Sequence, residues 1–188
     1  VPRHAMAEAG KLKKTVVLVG MMGAGKTAVG RALAQRLDVP FVDSDTEIET
    51  AAAMSIAEIF ARDGEAFFRS RETEVIARLL GGDCCILSTG GGAFLSERNR
   101  NLISSKGVSV WLNADLKLLW SRVKNKDTRP LLRTVDPFKT LQGIYEARVP
   151  IYAQADIEVT SQPSYTIDMM TTQVITALAA RPDVLELP

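Results

Sequence analysis

Residues 20–27 read Gly20-Met21-Met22-Gly23-Ala24-Gly25-Lys26-Thr27, an octet that fits G-x-x-x-x-G-K-[ST]. Its flanks restrict what it can be. An apolar, β-branched run, Thr15-Val16-Val17-Leu18-Val19, precedes it. A helical pattern over residues 28–37 follows, with Val29, Leu33 and Leu37 on one face. Strand, glycine turn and helix form the setting of a phosphate-binding loop. The glycines let backbone N–H groups turn inward around a polyphosphate, and the helix N-terminus adds partial positive charge there. Gly23, Ala24, Gly25, Lys26, Thr27 and Ala28 are therefore the expected nucleotide-binding run. Lys26 is expected to reach the terminal phosphates, and the Thr27 hydroxyl to ligate Mg²⁺.

The rest of the chain alternates in the same way. Short apolar strands are expected at residues 40–43, 84–87, 108–112 and 157–159, with helical patterns between them. The helices span about 46–53, a piece opening at Ser55 with Glu58 in capping-box spacing, about 65–80, 96–104, 115–123, 138–152 with a break at Pro150, and 167–179. This predicts an α/β fold of three layers, a central five-stranded parallel sheet with helices on both faces. The expected organisation is a tail over residues 1–14, one domain over 15–181 and a loosely held tail over 182–188. The first five residues, Val1-Pro2-Arg3-His4-Ala5, read as a tag remnant.

Several kinds of chemistry are disfavoured. The one histidine, His4, lies in that remnant, so catalytic triads and His-ligated zinc are not expected. Taking Arg3 from the 23 basic residues leaves 22 against 22 acidic ones, which gives no support for nucleic acid or an anionic membrane as partner. Cys84 and Cys85 are neighbours in an apolar run and read as small buried hydrophobes rather than a disulfide. No apolar run is long enough to span a bilayer, and a cytoplasmic monomer is expected.

In parallel sheets, ligands gather at the C-terminal strand edge. Three polar features fall there: the phosphate loop, Asp43-Ser44-Asp45, and Gly90-Gly91-Gly92. The 84–89 strand ends without an acid, so Asp43 is the expected metal partner beside Thr27. Asp45, two residues on, is placed to face an acceptor hydroxyl and take its proton. The alternative is that both acids only cap the next helix. The three glycines suit close backbone approach to a ligand, or else a flexible turn. Arg69, Arg129 and Arg148 read equally as an ion-paired or solvated surface charge, or as anion ligands.

Taken together, the phosphate loop, Phe41-Val42-Asp43-Ser44-Asp45, Asp63-Gly64-Glu65 leading to Phe68-Arg69, the triple glycine, Arg129-Pro130-Leu131-Leu132, and Arg148 with Pro150-Ile151-Tyr152 resemble the shikimate kinases in order and spacing. These are P-loop small-molecule kinases of the nucleoside monophosphate kinase type. The resemblance implies ATP-dependent phosphorylation of the 3-hydroxyl of shikimate, with Mg²⁺ accompanying ATP. It implies that Asp45 binds the ring hydroxyls and acts as base, while Arg69, Arg148 and the Gly90, Gly91 and Gly92 turn hold the carboxylate. It further implies that Phe60 and Phe68 wall the ring, which by spacing alone read as core aromatics. By the same likeness Arg122 packs on adenine and Arg129 swings in on a lid spanning about 124–136. A substrate-binding segment covers about 46–72. The rival readings are a gluconate or other hydroxy-acid kinase on the same scaffold, and a non-catalytic ATP-binding module.

Overall fold

Strands and helices alternate along the computed structural model, which describes residues 10–125 and 133–188. The strands are β1 (Lys11–Leu12), β2 (Thr15–Val19), β3 (Phe41–Asp43), β4 (Ile86–Ser88), β5 (Gly107–Asn113), β6 (Ile157–Thr160) and β7 (Leu185–Glu186). The helices are α1 (Lys26–Leu37), α2 (Ser44–Ala52), α3 (Ile56–Leu80), α4 (Glu97–Lys106), α5 (Leu116–Val123), α6 (Pro137–Tyr152) and α7 (Ile167–Ala179), with a 3₁₀ turn at Ala93–Leu95.

Five strands form one parallel sheet in the order β3-β4-β2-β5-β6. β2 lies at its centre with every residue buried, which explains its unbroken apolar run: both faces of the sheet are covered. The chain passes from β2 out to β3, returns through β4, then crosses to β5 on the other flank. This reversal opens a crevice at the carboxyl ends of β2, β3 and β4. The expected three-layer parallel architecture is the one observed.

The helix signals hold. The Ser55 side chain accepts from the Glu58 N–H, and Glu58 reaches back to the Ser55 N–H, a complete capping box. Asp115 and Thr166 cap α5 and α7. Gly64, at φ 85° and ψ 171°, divides α3 into the two helical pieces expected there. α2 and both parts of α3 enclose a small core of their own, Ile48, Ile59, Phe68 and Val75. The Glu49 carboxylate, accepting the Ile56 N–H at 3.0 Å, ties the two helices together. The segment expected to handle substrate is thus a packed unit beside the main core.

Three expectations fail. α6 does not break at Pro150 but continues to Tyr152. A proline removes one ladder hydrogen bond, and within the last turn that loss is outweighed by burial of Tyr152, 1% exposed. Residues 182–188 are not loosely held: Val184 and Leu185 join the main core, and β7 pairs antiparallel with β1. The same pairing makes residues 11–12 part of the fold rather than tail. Finally, the 84–87 strand starts two residues later, because the Cys85 N–H turns to the Thr15 hydroxyl at 3.3 Å.

Candidate active site

The phosphate loop owes its path to glycine. Gly23 and Gly25 have φ of 83° and 93°, and a Cβ on Gly23 would stand 2.8 Å from Val123 Cγ1. Gly25 caps α1 without any side-chain hydrogen bond, so the first N–H groups of the helix remain for an anion. Lys26 Nζ arches over the loop and donates to the carbonyls of Gly20 (2.6 Å) and Met21 (3.1 Å). Arg122, from the last turn of α5, donates to Gly23 O at 2.9 Å and so clamps the loop from outside.

Asp43 ends β3, and its Oδ1 accepts the N–H groups of Asp45 (2.9 Å) and Thr46 (3.2 Å). The capping alternative is therefore true of Asp43, and that bond fixes where Asp45 stands. Asp45 is not the cap; its carboxylate faces the cleft. Burial pushes the Asp45 carboxyl up from 3.8 to about 6, with the charges of Asp43, Glu72 and Glu49 adding to the rise and Lys26 opposing it.

The triple glycine has a steric reason. None of the three has positive φ, so backbone freedom is not what requires them. Each has a site side chain close against it, which an added Cβ would displace. A Cβ on Gly90 would lie 2.8 Å from Asp45 Oδ1, on Gly91 2.9 Å from Arg148 Nη1, and on Gly92 2.6 Å from Arg69 Nη2. One carboxylate and two guanidinium groups, from α2, α3 and α6, thus each lie against one glycine of a single turn.

A buried carboxylate holds Arg69, and a buried phenol lies beside Arg148. Arg69 Nη1 donates to both oxygens of Glu72, at 3.0 and 3.2 Å, and Glu72 has no exposed surface. Burial pushes the Glu72 carboxyl up while Arg69 pulls it back. Tyr152 lies beside Arg148 and donates its hydroxyl to Gly91 O at 2.7 Å. The sequence reading named neither residue for a role in the site. The signal for Glu72 was its spacing three residues after Arg69 on one helix.

One cleft of about 800 Å³ collects these groups. Its wall includes residues 23–28, Asp43, Asp45, Arg69, residues 90–92, Arg122 and Arg148. At the far end Ser161, Tyr165, Ile167 and Met170 line a mixed apolar surface that sequence reasoning left unassigned. Phe60 and Phe68 do not line it. They stack on one another at 4.8 Å within the small core, because a helix that aims Arg69 at the cleft turns the preceding side chain inward. Arg129 and residues 126–132 of the expected lid lie outside the described residues.

A phosphate loop at the end of a central parallel strand, facing a carboxylate and two arginines across one cleft, defines a P-loop phosphotransferase for a small anionic acceptor. The comparisons sharpen that class. The sequence model described as shikimate kinase matches residues 22–179. The shikimate kinase of Ruegeria pomeroyi is 69% identical over 179 residues, covering 95% of this chain and 92% of that protein. That of Cereibacter sphaeroides is 64% identical over 184 residues, covering 98% and 90%. Among solved structures, shikimate kinase from Acinetobacter baumannii in complex with shikimate superposes with a TM-score of 0.80 at 35% identity, covering 89% of this chain and 94% of that one. The chain belongs to the shikimate kinase family and is an ATP-dependent kinase of shikimate. A gluconokinase from Sinorhizobium meliloti, 17% identical with a TM-score of 0.61, shares the fold alone.

Proposed function

We propose that this cleft transfers the γ-phosphoryl group of ATP to the 3-hydroxyl of shikimate, with Asp45 as the base. The observation that carries the reading is the placement of Asp45, Arg148 and Arg69 against three successive glycines in the cleft that also holds the phosphate loop. Two guanidinium groups suit a carboxylate, and the carboxylate of Asp45 suits ring hydroxyls. The acid therefore binds with its charge at Arg69 and Arg148 and its hydroxyls towards Asp45.

As the 3-oxygen bonds to the γ-phosphorus, its proton passes to Asp45 and the bond to the β–γ bridging oxygen breaks, releasing ADP. A carboxyl near 6 is ionised at neutral pH yet more basic than an ordinary one. Lys26 exchanges its loop carbonyls for phosphate oxygens as nucleotide enters. Arg122 remains at the nucleotide side, and Arg129 adds positive charge from the lid.

Thr27 and Asp43 line the cleft together. Among the described residues no group of three or more acidic, Cys or His side chains forms a metal cage. One hydroxyl and one carboxylate fit Mg²⁺, which keeps waters and takes substrate phosphates as ligands. Thr27 would hold it directly and Asp43 through water; when bound, the ion neutralises charge on the β- and γ-phosphates. No helix among the described residues is long and apolar enough to cross a membrane, which fits a cytoplasmic enzyme.

ADP release measured over a panel of shikimate, gluconate and nucleoside monophosphates tests the reading. Turnover is expected with shikimate alone. Equal turnover with gluconate would overturn the assignment of the two arginines and the glycine turn to a ring acid.

A further inference from the structure

An anion-binding turn must present N–H groups and keep its carbonyl oxygens away, because a carbonyl facing a carboxylate repels it. The glycine turn has three carbonyls to dispose of. Gly90 O accepts the Ala93 N–H at 3.1 Å, and Gly92 O accepts the Leu95 N–H at 3.2 Å. Both are the backbone bonds of the 3₁₀ turn. Gly91 O, the middle one, is taken by a side chain: the Tyr152 hydroxyl, at 2.7 Å.

Tyr152 suits this task. It is 1% exposed, closes α6, and packs its ring near Trp111 of β5, with centroids 6.2 Å apart. It is not part of the cleft wall, whereas Gly91 and Gly92 are. The Gly91 carbonyl therefore points away from the cleft into the protein. All described peptide bonds are trans, so the Gly92 N–H of the same plane points the opposite way, towards the cleft. Arg148 lies one helical turn before Tyr152, beside its phenol. The phenol thus bonds the turn next to an arginine of the acid site.

We propose that Tyr152 is a positioning residue for acid recognition: its hydroxyl holds the Gly91–Gly92 peptide so that the turn offers an N–H, rather than an oxygen, to the substrate's carboxylate. The inference rests on the proposed seating of that carboxylate at Arg69, Arg148 and the glycine turn. Without the hydroxyl, the middle carbonyl loses its only donor among the described residues, and the peptide is free to present its oxygen to the acid.

The test is steady-state kinetics of Tyr152→Phe, which keeps the ring and its packing. KM for shikimate is expected to rise about tenfold, with KM for ATP and the saturated rate changing less than about twofold. The methyl ester of shikimate, an acceptor without the charge, is expected to lose less than about twofold. A ring serving only as packing would affect both acceptors alike, so equal losses, or an unchanged KM for shikimate, would overturn the proposal. Should Tyr152→Phe fail to fold, the unmodified protein still decides. With ¹⁵N-glycine labelling and no nucleotide, the Gly92 amide resonance is expected to move on adding shikimate, and a stationary one overturns the inference. Arg148→Ala separates the two levels. If it leaves KM for shikimate intact, the carboxylate seating itself is wrong. If it raises KM and Tyr152→Phe does not, the seating stands and the role of Tyr152 falls.

Discussion

Replacing Asp45 by Asn should end phosphoryl transfer and at the same time stabilise the fold. Asp45 is held among Asp43, Glu49 and Glu72 in a largely buried position, which lifts its carboxyl from 3.8 to about 6. An acid whose pKa is raised on folding binds its proton more tightly in the native state. The native state is therefore penalised wherever that proton is absent, above about pH 6, and the penalty disappears as pH falls towards 3.8 and below. At about 1.4 kcal/mol per pH unit the cost at neutral pH is about 3 kcal/mol. Asn keeps the shape and removes the charge. For a chain of 188 residues each kcal/mol moves Tm by about 2–4 °C, so Asp45→Asn should melt roughly 6–12 °C higher near neutral pH. Thermal unfolding followed by circular dichroism, with nucleotide absent and divalent metal chelated, measures it. The Tm difference should be full above about pH 7 and close to zero near pH 4. A difference that is absent at neutral pH, or that does not vary with pH, would refute the claim that Asp45 is electrostatically strained in the empty cleft.

Other outcomes follow from the same geometry. The wild-type kcat/KM for shikimate should fall as pH drops through about 6, rather than near 4, as Asp45 of the empty cleft takes up its proton; a profile flat to about pH 5 excludes it as base. Gly90→Ala and Gly92→Ala should both fold, since the added methyl meets the movable ends of side chains, Asp45 and Arg69. The first should lower the saturated rate by about a hundredfold and the second should mainly raise KM for shikimate, a split readable in one kinetic series. Leu185→Ala should cost about 2–5 kcal/mol in denaturant unfolding while leaving kcat/KM unchanged below the transition, because Leu185 is 1% exposed in the main core and remote from the cleft. A wild-type midpoint would mean that the β1–β7 clasp contributes nothing.

Local rules carry far in this chain. The glycine octet between a β-branched run and an amphipathic helix needs only backbone chemistry to be read. Helix starts at Ser55, Asp115 and Thr166 follow from a side-chain oxygen meeting an N–H two or three residues on. Parallel pairing follows from strands too apolar to face water on either side. Where a signal was local but ambiguous, packing resolved it. Pro150 marks a break only if nothing holds the turn beyond it, and buried Tyr152 does. Val184 and Leu185 look like part of a tail until β1, some 170 residues earlier, is seen to pair with β7.

The site divides along the same line. Asp43, Asp45, Lys26 and the three glycines were legible because each lies at a strand end, where sequence position implies spatial position. Which of the two acids caps the next helix was not, since capping and catalysis ask for the same carboxylate. The hydrogen bonds to Asp43 Oδ1 decide it. Nor could sequence show that Gly90, Gly91 and Gly92 lie against Asp45, Arg148 and Arg69 in turn, or that the Tyr152 hydroxyl bonds Gly91 O. Those facts depend on distances between residues from 23 to 61 positions apart. Composition and periodicity specify which elements form and which face each buries; only the packed tertiary structure specifies which side chains from different elements meet.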